Sequence, residues 1–291
     1  MLLSRALLAP HLPTLLLDEH RHHETPMLQA LMAESERLQA EPPEIVVALS
    51  TRWMSDGPFH VDLGKRHRTL TDYTGFGVEC RYDCDGQPAL ARALVDAGTR
   101  AGVRVGGATR GVDSGVTVPL HFLLPRRQVP VVPLSLATLP ETDCRAWGAV
   151  LRHALEQRPE RILFVIGGGL SADLHAWQFH REVPETKQLD EHLLGVLRDG
   201  DWNALRAVAP EVLERGKPDG DLRHLDLLRG FLGADSGGTM HAYESLPGLG
   251  VAFVSFELPA LPQPRAAESA GEASDPVAGA ADAPIEGHAA E

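Results

Sequence analysis

Cysteine is scarce in this chain: Cys80, Cys84 and Cys144 are the only three in 291 residues. Three thiols cannot build a disulfide framework, and Cys80 with Cys84 lacks the second Cys/His pair that a zinc site would need. They read as ordinary thiols. No apolar run reaches the roughly 18–20 residues of a membrane-spanning helix, which excludes an integral helical membrane protein. Positive charge is also in deficit, with 27 Lys and Arg against 40 Asp and Glu and a net charge of −13. Nucleic-acid binding through phosphate contacts needs a basic surface, so that class is excluded too. Beyond Arg265 there is no basic residue except His288, while six acids run from Glu268 to Glu291. This Ala-, Gly- and Pro-rich stretch, 263–291, has too little apolar surface to offset the entropy of ordering and reads as a disordered, solubilising tail. At the other end, Pro10, His11 and Pro13 interrupt the leucines that follow Arg5, which makes a poor signal peptide. A cytoplasmic protein is expected.

What is present points to one α/β domain over residues 1–262. No internal repeat occurs. Short apolar runs predict strands at Leu2–Ala9, Glu44–Leu49, Val103–Gly106, Val129–Leu136, Arg161–Ile166 and Gly250–Glu257. Ile45-Val46-Val47-Ala48-Leu49 and Ile162-Leu163-Phe164-Val165-Ile166 do not alternate with polar residues, as expected of strands buried on both faces. Between the runs lie helical stripes: Trp147, Val150, Leu151, Ala154 and Leu155; Leu189, Leu193, Val196 and Leu197; and, less cleanly, Met27, Leu28, Leu31, Met32 and Leu38. Strands alternating with helices predict a central, mostly parallel or mixed sheet flanked by helices on both faces.

Ligands of open α/β sheets gather beyond the carboxyl ends of the strands. The segments there are Pro10-His11-Leu12-Pro13, Ser50-Thr51-Arg52-Trp53 and Gly167-Gly168-Gly169-Leu170-Ser171-Ala172-Asp173, with Asp113-Ser114-Gly115 leading into a helix or turn. Gly167, Gly169 and Ala172 fit G-x-G-x-x-A, with Asp190 at a plausible distance, but that acid falls within a helical stripe rather than at a strand end. A tight turn explains the glycines better than a dinucleotide site. His20, His22 and His23 lie in a polar stretch and read as exposed. His11, between two prolines after a buried strand, is either a metal ligand or a hydrogen-bonded core histidine.

Taken in order, these segments resemble the class III extradiol ring-cleavage dioxygenases of the LigB type. The residues that carry the likeness are Pro10-His11-Leu12-Pro13, Phe59-His60-Val61-Asp62, Asp72-Tyr73-Thr74-Gly75-Phe76, the run Tyr82, Gly86, Pro88, Leu90 and Ala91, Asp113-Ser114-Gly115 through Pro119-Leu120, Val131-Val132-Pro133-Leu134-Ser135-Leu136, and Gly167-Gly168-Gly169-Leu170-Ser171. Together they span about Leu3 to Glu257. The resemblance implies a ferrous iron held by two histidines and a carboxylate, open to a catecholate and dioxygen. It implies a further acid/base histidine and a substrate-orienting histidine in the Asp-His-Gly loop.

On these positions His11 stands for the first ligand, Arg52 for the second, Asp221 for the carboxylate, Ala172 for the acid/base histidine and Ser114 for the loop histidine. Arginine is permanently protonated and has no lone pair to give a metal. The resemblance therefore implies an eroded iron site, with Arg52 either pairing with Asp221 or simply lining the cleft. His224 is either a substitute ligand, making a zinc site with His11 and Asp221, or an ordinary helix residue; His60 and His175 are further spares. Arg52, Trp53, Ser114 and Ser171 are the expected pocket residues, and Trp53, Phe59 and Trp177 are candidates to stack on an aromatic ligand or to pack the core. Two functional classes follow: a divergent, weakly active ring-opening dioxygenase, or a non-catalytic partner of a related chain, homo- or hetero-oligomeric, or a binder of small aromatic ligands.

Overall fold

Apolar runs long enough to pair, separated by amphipathic stripes, fold here into a sheet sandwiched between helices. The computed structural model describes residues 2–73, 77–233 and 235–258; the acidic tail expected over 263–291 lies outside them. The strands are β1 (Leu2–Ala9), β2 (Ile45–Ser55), β3 (Phe59–Asp62), β4 (Arg66–His67), β5 (Cys84–Asp85), β6 (Val105–Ala108), β7 (Val131–Ala137), β8 (Ile162–Gly167), β9 (Ser171–Ala172), β10 (Thr239–Leu246) and β11 (Leu249–Glu257). The helices are α1 (Thr14–His20), α2 (Pro26–Ala40), α3 (Pro88–Arg100), α4 (Ser114–Leu123), α5 (Glu141–Glu156), α6 (Leu174–Gln178), α7 (Pro184–Asp199), α8 (Pro210–Gly216) and α9 (Arg223–Leu232). Among the described residues no helix is long and apolar enough to cross a membrane.

The main sheet runs β10-β11-β1-β8-β2-β7-β3-β6, with β9 on β11; β4 and β5 pair separately. Its middle, β1-β8-β2-β7, is parallel, and the antiparallel pairs β1–β11, β10–β11 and β3–β7 make it mixed. The expected non-alternating strands are buried on both faces. Ile45, Val47, Leu49, Ile162, Phe164 and Ile166 join Trp147, Leu151, Leu189, Leu193 and Phe231 under α5, α7 and α9. Val46, Ala48, Leu163 and Val165 face Leu15, Leu28, Leu31 and Val116 under α1, α2 and α4. Each such side chain, moved fully out of water, contributes about 1.5–3 kcal/mol.

Strand boundaries differ from expectation most at β6 and β2. The run expected at Val103–Gly106 pairs as β6 from Val105, while β3 and β10 carry too few consecutive apolar residues to stand out. β2 continues to Ser55 instead of ending at Leu49, through an irregularity. Its pairing with β7 jumps from Ser50↔Ser135 to Met54↔Leu136, leaving Thr51, Arg52 and Trp53 unpaired against that strand. Bulges of this kind redirect side chains.

At the carboxyl edge of the parallel strands, Ala9, Gly167, Ser50 and Ser135 lie in one row. His11, Gly168 and Thr51 follow directly, so the sheet's register delivers the expected segments to one place. Gly167 also lets α4 approach: a Cβ there would fall 1.6 Å from the Gly115 carbonyl oxygen. Backbone cannot yield to such an overlap without moving the helix. Gly167→Ala is therefore expected to destabilise the fold by about 2 kcal/mol or more, measured as a lowered denaturation midpoint with an unchanged m-value.

Candidate active-site cleft

The bulge in β2 turns consecutive side chains in different directions. The Thr51 hydroxyl donates to Asp219 Oδ2 at 2.8 Å. The Gly169 N–H donates to the same oxygen at 2.8 Å, and Nε2 of His224 donates to the Gly169 carbonyl at 3.0 Å. His11, Asp219 and His224 are all buried. The Arg52 backbone N–H donates to Ser50 Oγ at 3.1 Å, and Ser50 donates to Asp113 Oδ1 at 2.6 Å. Asp113 caps α4 through the Gly115 N–H and pairs with Arg110. The bulge is thus fixed from both sides, and the Arg52 side chain projects into a cleft of about 410 Å³.

His11, Thr14, Arg52, Asp72, Ser114 and Gln178 form the polar part of that cleft, and Leu12, Pro13, Tyr73, Leu174, Trp177 and Leu249 are its apolar walls. Ser114 donates from its hydroxyl to Asp72 Oδ2 at 2.8 Å and from its backbone to Oδ1 at 3.0 Å. Among the described residues, no carboxylate or carbonyl accepts from the Arg52 guanidinium, which is half-buried.

Electrostatics follow from this packing. Burial lowers the basicity of His11; Asp219 opposes that effect and Arg52 adds to it. Burial lowers His224 as well, again against Asp219. For Asp219, burial alone would raise the carboxyl. The neighbouring His11 and His224, the Gly169 N–H and Arg52 outweigh it and hold the group below the ordinary carboxylate range. Arg52 and His11 line the cleft together with Asp72, and Asp219 and His224 are buried close behind His11.

The carboxylate is not the one expected. Gly220, Asp221 and Leu222 all have left-handed backbone, with φ of 54°, 51° and 64°. This turn carries Asp221 to the surface, where it is exposed and paired with Arg223. The Arg52–Asp221 pair does not form, and Asp219, two residues earlier, is the acid that enters the site. His224 is not a surface helix residue: it is fully buried beside Asp219.

Of the expected pocket residues, Arg52 and Ser114 line the cleft and Trp53 and Ser171 do not. Trp53 stacks on His60, centroids 6.1 Å apart, with the Arg110 guanidinium 5.4 Å from its ring. Ser171 is buried beside Asp190. Phe59 stacks on Trp147 in the core, whereas Trp177 does reach the cleft. Ala172 pairs with Leu249 in the sheet, and His175 is exposed against Phe179. Asp72 and Tyr73 lie in a segment that carries the resemblance but are not among the candidate site residues, and neither is Asp219, since the expectation falls on Asp221 alone and nothing local to the two acids tells them apart.

Ferrous iron is the metal on which extradiol dioxygenases of the LigB type depend. The residues here do not fit it as a set. Among the described residues, no group of three or more His, Cys, Asp or Glu side chains stands together so as to hold a metal ion. Asp219 Oδ2 already accepts from two donors, and the Arg52 cation lies close enough to His11 to lower its basicity further. Nδ1 of His11 and Nδ1 of His224 are buried without partners, so two nitrogen donors remain but no assembled triad.

The chain is similar to known proteins over most of its length. The family model described as "Catalytic LigB subunit of aromatic ring-opening dioxygenase" matches residues 5–254. The chain is 26% identical over 245 residues to a Pseudomonas protein named 2-aminophenol 1,6-dioxygenase alpha subunit, covering 79% of this chain and 89% of that one. It is 27% identical over 180 residues to a Portulaca grandiflora protein named 4,5-DOPA dioxygenase extradiol, covering 58% and 65%. The crystal structure of an uncharacterised Escherichia coli K12 protein shares the fold, with a TM-score of 0.62, 21% identity, and 87% and 99% of the two chains covered.

Two expectations test these placements. Asp219→Ala strands the Thr51 hydroxyl and the Gly169 N–H in the interior, and should lower stability by about 2–4 kcal/mol. Asp221→Asn, which keeps a side chain tolerant of left-handed backbone, loses only an exposed ion pair worth under about 1 kcal/mol; chemical denaturation of both variants measures the contrast. Asp190, in α7, accepts from the Tyr243 hydroxyl at 2.8 Å, yet burial pushes its carboxyl up to about 6. A raised carboxyl favours the folded state below the unfolded value near 4. Stability should therefore fall as pH rises from about 4 to 6, and Asp190→Asn should flatten that decline in a pH series of thermal melts.

Proposed function

Because the chain belongs to the LigB family of aromatic ring-opening dioxygenases, we propose that it is an extradiol-type member whose own iron centre is incomplete. It opens rings weakly or not at all and acts as the companion of a related chain. One observation carries this reading: the Arg52 guanidinium projects into the cleft at the position where the family resemblance calls for the second histidine ligand. A guanidinium offers no lone pair and sets a like charge beside a dication. Alanine at 172 removes the imidazole expected there to move a proton, a loss of about 100- to 10,000-fold where such a group acts in the rate-limiting step. The Pseudomonas relative is named as an alpha subunit, which supports an oligomer with a related chain. Buried free thiols at Cys80, Cys84 and Cys144 suit a reducing cytoplasm.

A second reading rests on the unpartnered Nδ1 atoms of His11 and His224. A divalent ion such as zinc on these two nitrogens, completed by a ligand that the described residues do not bring together with them, would make the site metal-dependent without the family's ligand set.

Anaerobic incubation with ferrous salt, then metal analysis and a catechol assay for the yellow ring-opened product, tests the first reading. Sub-stoichiometric iron and no turnover are expected; stoichiometric iron with turnover overturns it. Arg52→His should raise cobalt(II) affinity at least tenfold, read from the visible absorption of the bound ion. Stoichiometric zinc in the unaltered protein, with no gain in Arg52→His, would favour the second reading instead.

A further inference from the structure

We propose that the chain carries a second binding site, a polar cavity between α5, α9 and the single 3-10 turn Trp202–Ala204, which takes a small hydroxylated phosphate ester with its phosphate on Arg145 and Arg229. The cavity measures about 440 Å³ and shares no lining residue with the cleft. It goes beyond the functional reading above and stands whichever reading of the cleft holds.

Arg145, Arg206 and Arg229 line this cavity with Glu141 and Asp226, three cations to two anions. That excess is local, in a chain of net charge −13. The cavity lined by Asp173, Arg181, Glu182, Glu214, Arg215 and Lys217 is, by contrast, balanced at three against three. Arg206 is matched. It grips the buried Asp226 through both terminal nitrogens, at 3.0 and 2.6 Å, and reaches Glu141 at 3.2 Å. The other two arginines are less fully used. Arg145 lies 3.6 Å from Glu141 and 3.7 Å from Asp226, too far for a hydrogen bond to either. Arg229 donates to the Trp202 carbonyl at 3.2 Å and to Asn203 Oδ1 at 2.7 Å, both uncharged, with the Asp235 carboxylate 3.5 Å away. A guanidinium has five donors, so both arginines keep N–H groups for a ligand. The helices that carry them are in backbone contact: a Cβ on Gly230 would fall 2.0 Å from the Arg145 carbonyl oxygen. Their side chains are only 31% and 23% exposed, so a ligand has little left to order.

The geometry of the donors selects the anion. One guanidinium fork saturates a carboxylate, whereas a phosphate ester presents several strong acceptor oxygens and can take hydrogen bonds from two forks at once. The walls select the rest of the ligand. Leu205 and Trp202 are the apolar lining residues, and Glu141 and Asn203 offer side-chain oxygens that accept from hydroxyls. Such a lining suits a hydroxylated body rather than an aromatic ring. Asp226 is neutralised by Arg206, so Glu141 is the charge on the wall that opposes the phosphate.

Calorimetric titration of the full chain with glycerol phosphate, glycerol, inorganic phosphate and acetate tests the site. Glycerol phosphate is expected to bind at least about tenfold more tightly than glycerol or acetate, with inorganic phosphate between, and to weaken as salt is added. Arg145→Gln and Arg229→Gln should each weaken the ester at least about fivefold. Glu141→Gln should tighten it, a gain that a damaged fold does not produce. Arg52→Gln should leave it unchanged, which places the phosphate outside the cleft. No binding at about 1 mM ester overturns the proposal, as does acetate binding as tightly as the ester. Ester affinity unmoved in folded Arg145→Gln and Arg229→Gln overturns it too, and so does its loss in Arg52→Gln, which would put the ester in the cleft. Inorganic phosphate binding as tightly as the ester overturns the hydroxylated ligand.

Discussion

Three segments far apart in the chain meet on one carboxylate oxygen. Asp219 Oδ2 accepts from Thr51 in the β2 bulge and from the Gly169 N–H in the turn after β8, while Asp219 itself precedes the left-handed turn into α9. An ionised group this deep is tolerated only when donors replace the lost water. Those donors are available only if the bulge, the glycine turn and the helix entry are all in place. The bond therefore does more than satisfy Asp219: it fixes the position of Thr51, and with it the direction of the next side chain, Arg52. His224 is placed by the same glycine turn through the Gly169 carbonyl.

From that constraint comes the charge pattern of the cleft. The parallel strands end in one row and deliver His11, Thr51 and the glycine turn to a common edge, the usual place for a ligand in an open α/β sheet. In a member of the LigB family, that edge is where a metal would balance its ligands. In this chain a guanidinium, that of Arg52 on β2, lines the cleft at that edge. Burial lowers the basicity of the two imidazoles, while His11, His224, the Gly169 N–H and the nearby arginine together hold Asp219 below the ordinary carboxylate range. Among the described residues no acceptor meets the Arg52 guanidinium.

Much of this was legible in the amino-acid order because the relevant forces are local. Ile45–Leu49 and Ile162–Ile166 announce two-sided burial by lacking alternation, and both are central strands with helices on each face. The stripes through Trp147 and Leu189 mark α5 and α7 because apolar spacing of three and four residues leaves one buried helix face. His11 and Arg52 were identifiable as cleft residues from their places just beyond strand ends. Less legible were β3 and β10, whose mixed composition gives no periodic signal, and the fate of Trp53, which a rotation of one residue along the bulge sends to His60 and Arg110 instead of the cleft.

The sequence by itself determined the sheet-and-helix architecture, the edge at which the site forms, and the presence there of an arginine that cannot ligate a metal, since burial periodicity and side-chain chemistry are properties of residues and their spacing. Only the tertiary structure decided which acid joins that arginine. Asp219 and Asp221 are chemically identical and two positions apart. Three successive left-handed residues, held by the packing of α9, turn one inward to Thr51 and Gly169 and the other outward to Arg223. No local preference encodes that turn, because left-handed backbone at Asp221 and Leu222 is unfavourable on its own and persists only where the surrounding contacts overrule it.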